Sequence, residues 1–181
     1  YMDYGTAREQ TGSTSLTHWS GLGGTDKVTI DNVAAFAQYE AKTDIGNFTL
    51  GLRYEDHEVV GDGWAPRAAY TKAWENWHMK ALFNKAFRTP SLEVIRYNLD
   101  NSSLMISKEE TTGYEMEVGR KIGQNAQWNA NIYHIRLDDP ILYVSSNGAY
   151  ENFGTMSTFG GETDFQWFPS WGNVRLGYSM Y

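Results

Sequence analysis

Cysteine is missing from all 181 residues, which excludes disulfides, thiolate metal sites and thiol nucleophiles. Proline is scarce, at four residues. No run of about 18 apolar residues occurs, so no membrane-spanning helix is encoded. The formal net charge is -7, which argues against non-specific binding of nucleic acid. There are only four histidines, His18, His57, His78 and His134, and none sits in an HExxH or another readable catalytic arrangement. The glycine-rich GLGGTD at 21–26 has no lysine and no helix after it, so it is not a phosphate cradle. The Asp-Asp-Pro at 138–140 reads as a turn rather than as paired catalytic carboxylates. These absences leave no catalytic residue, no metal site and no cofactor to name.

Aromatic residues, by contrast, are plentiful. They make up 15% of the chain, with 7 Trp and 12 Tyr, alongside 18 Gly. That balance favours β-structure. Apolar and polar residues alternate with a period of two over most of the length. Val33, Ala35, Ala37, Tyr39 and Ala41 form one apolar set. Phe48, Leu50, Leu52 and Tyr54 form a second, and Trp77, Met79, Ala81 and Phe83 a third. Similar sets are Tyr114, Met116 and Val118; Trp128, Ala130 and Ile132; Gly161, Thr163, Phe165 and Trp167; and Val174, Leu176, Tyr178 and Met180. Two weaker strands are expected, one at the start of the chain and one around Ala65 to Thr71. The pattern predicts an all-β fold, an antiparallel meander of about nine strands.

A mean hydropathy of -0.54 is compatible with a membrane, because a barrel strand is apolar only at every second position. The joints KTDIGN, KAWENW, RKIGQNA and FPSWGN read as short turns. The stretches at 9–29, 58–63, 88–108 and 140–150 read as longer, less regular loops. Short turns at one rim and long loops at the other are the layout of an outer-membrane barrel. Trp74, Trp77, Trp128, Trp167 and Trp171 all fall in or beside the short turns, as an interfacial girdle requires. The polar face carries Gly, Asn and Gln, which suits a hydrated lumen. A soluble sandwich or propeller is the alternative, and it would hide the apolar face in a core. Both ends of the sequence fall inside a pattern, which predicts a segment of a longer protein.

FNKAFRTPSLEVIRYN, at 83–98, breaks the strand rhythm. Thr89 is placed to cap a helix and Pro90 to open it, with Leu92, Ile95 and Arg96 at helical spacing. A strand that ends this way builds something above its rim. Lumen charges, Arg53, Arg67, Lys80 and Arg175 against Glu55, Glu115, Glu117, Glu162 and Asp164, are expected to form cross-strand pairs that hold the wall open. Arg88, Arg96 and Tyr97 belong to the loop. They are the candidate ligand-binding residues, since Arg grips carboxylate, catecholate or phosphate oxygens and Tyr stacks. A structural role for the same three residues is the alternative.

Four of these segments, in order, resemble the late barrel of TonB-dependent receptors. NKAFRTPSLE at 84–93 is similar to the family's Y-x-x-A-F-R-A-P-S strand end, and KEETTGYEMEVG at 108–119 to its E-x-S-x-x-Y-E-x-G strand start. Upstream, residues 31–70 resemble its Y-A-Q, L-x-x-G-x-R-Y and x-P-R sequence, and YENFGTMSTFGGETDFQW at 150–167 its Y-x-N-x-G and G-x-E-x-x strand. Thr89 departs from the family's alanine, and NSSLMISKEE lacks the prolines of its N-P-x-L-x-P-E element. The resemblance implies that residues 1–181 are part of a 22-stranded transmembrane β-barrel in the bacterial outer membrane. It implies transport of a scarce nutrient, a ferric siderophore or other metal chelate by default, energised by TonB through a plug domain that is not in this sequence. The implied partners are outer-membrane lipid, TonB and the small chelate, with no nucleic acid. Haem receptors usually place a histidine in the loop after this strand end, and 88–108 contain none. A passive porin-like channel or a rim-active outer-membrane enzyme are the competing readings.

Overall fold

The computed structural model describes residues 31–58, 60–101 and 104–181. Alternation becomes strand throughout. The elements are β1 (Asn32–Thr43), β2 (Gly46–His57), β3 (Gly61–Ala73), β4 (Trp77–Arg88), α1 (Leu92–Asn101), β5 (Glu109–Ile122), β6 (Ala126–Asp138), β7 (Ile141–Val144), β8 (Ala149–Asn152), β9 (Thr155–Trp167) and β10 (Val174–Met180). Eight of them form one antiparallel sheet in the order β1-β2-β3-β4-β5-β6-β9-β10, while β7 and β8 pair only with each other. Each strand of the large sheet therefore lies beside its chain neighbour once the small hairpin is set aside. The sheet is open, with β1 and β10 at its edges. The strand expected at the start of the chain lies outside the described residues.

Cross-strand register sorts the two faces, because directly opposed residues point the same way. Leu50 lies opposite Tyr39 and Ala68, and Ala68 opposite Phe83. Met116 lies opposite Ala81 and Ile132, and Phe165 opposite Trp128 and Leu176. All seven apolar sets thus fall on one face of one sheet.

Aromatic rings bound that face at both ends. Near the short turns, Phe48 packs on Tyr70 at 5.0 Å between centroids and Trp167 on Trp171 at 5.8 Å, with Trp74, Trp77 and Trp128 in the same zone. Near the other rim, Tyr54 packs on Trp64 at 4.6 Å and Phe83 on Tyr114 at 5.2 Å. Two aromatic bands flanking an aliphatic middle match the girdle layout of a membrane barrel, and the second band was not legible from tryptophan positions alone.

An apolar interior is missing. Ala149, in the small hairpin, is the one fully buried apolar residue among the described residues. Leu50 is 54% exposed and Leu176 64%, although both sit on well-paired strands. A soluble sandwich would cover such side chains with a second sheet, and the large sheet has no such partner. The sandwich alternative is thereby excluded for the described residues.

The opposite face is polar. Lys80 and His78 both reach the same carboxylate oxygen of Glu117, at 2.8 and 2.9 Å. Asn131 donates to Glu115 at 3.1 Å and Asn129 to Asp164 at 3.2 Å. Arg53 pairs along its own strand with Glu55 at 2.5 Å, so this pair is not a cross-strand rung. Glycines sit under long side chains here. Gly51, Gly113, Gly119 and Gly160 lie opposite Arg67, Asn84, His78 and Tyr133, and a Cβ on any of them would overlap the side chain facing it.

Connection lengths follow the expected alternation with one exception. Residues 58–60 join β2 to β3 with the same length as the 74–76 and 123–125 turns at the opposite rim, so the loop expected there is short. The two long connections, between β4 and β5 and between β6 and β9, are where the fold departs from a plain meander.

Candidate functional site

The two long connections meet each other above the rim. Helix α1 begins after Pro90, with Ser91 rather than Thr89 as its cap. Ser91 Oγ accepts from the Val94 amide at 3.3 Å, and the Ser91 carbonyl accepts from the Ile95 amide at 3.0 Å. Proline therefore precedes the cap instead of opening the helix. The expected turn at Asp138–Asp139–Pro140 is present. Asp139 adopts φ 55°, a left-handed conformation that Asp tolerates, and Pro140 leads directly into β7.

Asn98 is the centre of the assembly. It is 2% exposed. Its Nδ2 donates to the Tyr150 carbonyl at 2.7 Å and the Leu104 carbonyl at 3.3 Å, and its Oδ1 accepts from the Tyr150 amide at 2.9 Å. One side chain thus ties α1, the return segment before β5, and β8. Asn152 makes a second tie. Its Nδ2 donates to the Ser107 and Asp139 carbonyls at 3.1 and 2.8 Å, and its Oδ1 accepts from the Ser107 amide at 2.8 Å.

Three tyrosines close over these ties. Tyr97 meets Tyr143 at 5.9 Å and Tyr150 at 5.5 Å, and Tyr143 meets Tyr150 at 5.3 Å, each pair steeply inclined. Edge-to-face contacts of this kind are favoured by the ring quadrupoles. The Tyr97 and Tyr143 hydroxyls lie 3.3 Å apart. That hydrogen bond, followed by burial, raises the Tyr97 phenol above its ordinary value.

At the base, Arg88 ends β4 and Glu109 starts β5. Arg88 donates from Nε and Nη2 to the two Glu109 oxygens at 2.5 and 2.8 Å. Glu109, 6% exposed, also accepts from the Ile141 amide at 2.7 Å. One buried carboxylate therefore fastens both long connections to the sheet.

The three candidate ligand residues fall at two levels. Arg88 lies at the base, its side chain 72% exposed despite the Glu109 pair. Arg96 and Tyr97 lie together on α1, where Arg96 pairs with Asp100 at 3.2 Å and Tyr97 joins the tyrosine cluster. Sequence reasoning missed Asn98, Glu109, Tyr143, Tyr150 and Asn152. For Asn98 a signal existed, since it follows Val94 and Ile95 at helical spacing and so falls on the inner face of α1. For the others none did, because β7 and β8 are too short to display a period. Chemically, the unit offers aromatic rings and phenol hydroxyls, with the Arg96 guanidinium beside them paired to Asp100 and 19% exposed, a combination suited to flat small molecules.

Solved structures share this architecture. The siderophore receptor PirA of Pseudomonas aeruginosa superposes with a TM-score of 0.71 at 16% identity, over 89% of this chain and 36% of that one. The ferric enterobactin receptor PfeA of Pseudomonas aeruginosa, solved as a mutant with enterobactin, gives 0.72 at 16% identity, over 87% and 28%. The FrpB iron transporter of Neisseria meningitidis gives 0.65 at 18% identity, over 83% and 26%. The chain thus spans between about a quarter and just over a third of these receptors' length. No curated protein sequence matches it significantly. Residues 1–181 match the family described as TonB dependent receptor-like, beta-barrel, and the chain belongs to that family.

Proposed function

We propose that the chain forms part of the wall and mouth of a bacterial outer-membrane receptor that takes up a ferric siderophore or another metal chelate, energised by TonB acting through a plug domain. The observation that carries this reading is the sorting of one open sheet into an aromatic-bounded apolar face and a polar face, with a tied loop unit on a single rim. A wall so built separates lipid from a hydrated passage, and the loop unit stands where a ligand enters. The family and the fold it shares with siderophore receptors support the same reading. Arg88, Arg96 and Tyr97 are the proposed ligand contacts, with the tyrosine cluster as their support.

The test is uptake of a labelled ferric chelate by cells carrying the full-length receptor, with and without TonB. Binding at the surface is expected in both, and accumulation only with TonB. Accumulation that persists without TonB, in proportion to external concentration, would identify a passive channel instead.

A further inference from the structure

The tip of the β7–β8 hairpin carries Asn147 followed by Gly148, and Asn147 is the one asparagine of the 181 residues that precedes a glycine. Residues 145–148 join the two strands, and the Asn147 amide donates to the Val144 carbonyl at 3.0 Å to close the turn. Gly148 follows with φ 60°. Asn147 is exposed, and a Cβ on Gly148 would meet nothing within 4 Å. Among the described residues the Gly148 amide has no hydrogen-bond partner, so the β7–β8 ladder does not hold its nitrogen.

These features are the requirements of one reaction. The backbone nitrogen after an asparagine closes a five-membered ring when it attacks the side-chain amide carbon, which is one reason asparagine is a thermolabile residue. A Cβ on the following residue hinders the attack, and a backbone hydrogen bond shields the N–H from base. Gly148 has neither obstacle, and a loop tip is where the backbone has room to turn. At the carbon under attack, Ser146 Oγ donates to Asn147 Oδ1 at 3.2 Å, the atom on which negative charge develops. Asn147 Nδ2 donates to Glu151 Oε1 at 2.5 Å, so the departing nitrogen lies beside a carboxylate.

We propose that Asn147 is a site of spontaneous covalent modification that cyclises onto Gly148, hydrolyses to aspartate or isoaspartate, and thereby loosens the loop unit. Base removes the Gly148 amide proton, and the nitrogen bonds to Asn147 Cγ. The Cγ–Nδ2 bond then breaks, and the amine takes a proton from water and leaves as ammonia. Water opens the resulting succinimide at Cγ to give aspartate, or at the main-chain carbonyl to give isoaspartate. Hydroxide and water are the only co-reactants, and nothing is oxidised or reduced. Either product puts a carboxylate where an amide donated to Glu151, and like charges then repel. Isoaspartate also lengthens the turn by one carbon. Both changes act on the hairpin whose Tyr150 backbone holds Asn98, the tie between α1 and β8. The reaction needs only the turn and water, so it does not depend on the uptake reading.

The experiment holds the full-length receptor in nanodiscs at growth temperature, at mildly acidic and mildly alkaline pH, with a sample unfolded in urea alongside. Peptide mapping by mass spectrometry follows loss of the Asn147 amide, and an isoaspartyl methyltransferase labels the isoaspartate. Loss at Asn147 is expected to outpace every other described asparagine in the folded receptor and to rise in proportion to hydroxide concentration. Protection of the Tyr150 amide should fall as the converted fraction grows. In Asn147→Gln, whose ring would have six members, label at this peptide should disappear and Tyr150 protection should hold steady. Asn147→Ser gives the same block with a shorter side chain, and heat-shifted electrophoretic mobility checks that each barrel is folded. Conversion in urea with Asn147 intact in the folded receptor would show that the fold protects the turn, and would overturn the proposal. Conversion without any change at Tyr150, or an equal loss of protection in both variants, would overturn it too.

Discussion

Asn98 pairs with Tyr150 as one strand residue pairs with another, its side-chain amide accepting from the Tyr150 N–H at 2.9 Å and donating to the Tyr150 carbonyl at 2.7 Å. A helix side chain thereby adds a rung to the edge of β8, and two loops far apart in sequence behave as one body. Asn98→Ala leaves both Tyr150 backbone groups without these partners, at a cost of about 1–3 kcal/mol for a buried unsatisfied group. The expected result is faster amide exchange at Tyr150 with an unchanged melting temperature of the barrel. A large fall in barrel melting would place α1 in the wall rather than above it.

Arg96 and Tyr97 are consecutive on α1, with Tyr97 in the tyrosine cluster and Arg96 paired to Asp100, and both are proposed ligand contacts. For an anionic ferric chelate, Arg96→Ala with Tyr97→Ala should weaken binding at least tenfold, from the loss of a charge-assisted hydrogen bond of about 1.5–3 kcal/mol. Titration of the full-length receptor with candidate chelates measures this, with barrel melting followed in parallel. Equal affinity would remove α1 from the ligand path. Intact affinity with a lowered melting temperature would make these residues structural.

The raised Tyr97 phenol gives the loop unit a pH limit. A group that holds its proton more tightly when folded contributes stability that is fully present below its ordinary value of 10.0 and is lost as pH rises through the folded value. Ultraviolet titration should find a late-ionising fraction of phenol, and Tyr97→Phe should reduce that fraction by one group. The protection factor of the Tyr150 amide, taken relative to base-catalysed intrinsic exchange, should fall over the same alkaline window and stay flat between neutrality and about pH 9.

Leu50 and Val118 lie in the aliphatic middle of the apolar face. Replacing either with Arg in the full barrel should cost about 2–4 kcal/mol if the site is near the bilayer midplane. Unfolding from lipid vesicles in urea reads this directly. A loss much below 1 kcal/mol at both positions would mean that the face does not meet lipid.

Strand rhythm made the wall legible. An apolar face needs an apolar residue at every second position, and Phe48 to Tyr54 or Trp77 to Phe83 show nothing else. The tryptophans of the short-turn rim could be read the same way, while Trp64 was overlooked because its partner Tyr54 arrives by register, across 10 positions of sequence. The loop unit was legible only as a break at Thr89-Pro90. Its cohesion comes from polar side chains binding backbone groups, as with Asn152 on Ser107 and Asp139, and such bonds leave no period behind. In sequence Arg88 was a candidate ligand contact, with a structural role as the alternative. It is half of a bidentate pair because Glu109, 21 positions later, starts the next strand directly opposite it.

The glycines of the polar face keep its long side chains flat against the sheet. Arg67, Asn84, His78 and Tyr133 each lean across the glycine opposite and so lie along the wall instead of projecting from it. An alanine at Gly51 or Gly119 would lift Arg67 or His78 off the surface of the sheet. What these four positions omit thus keeps the polar face low, and on the uptake reading proposed above a ligand passing along it would meet a hydrated lining with its charges laid flat.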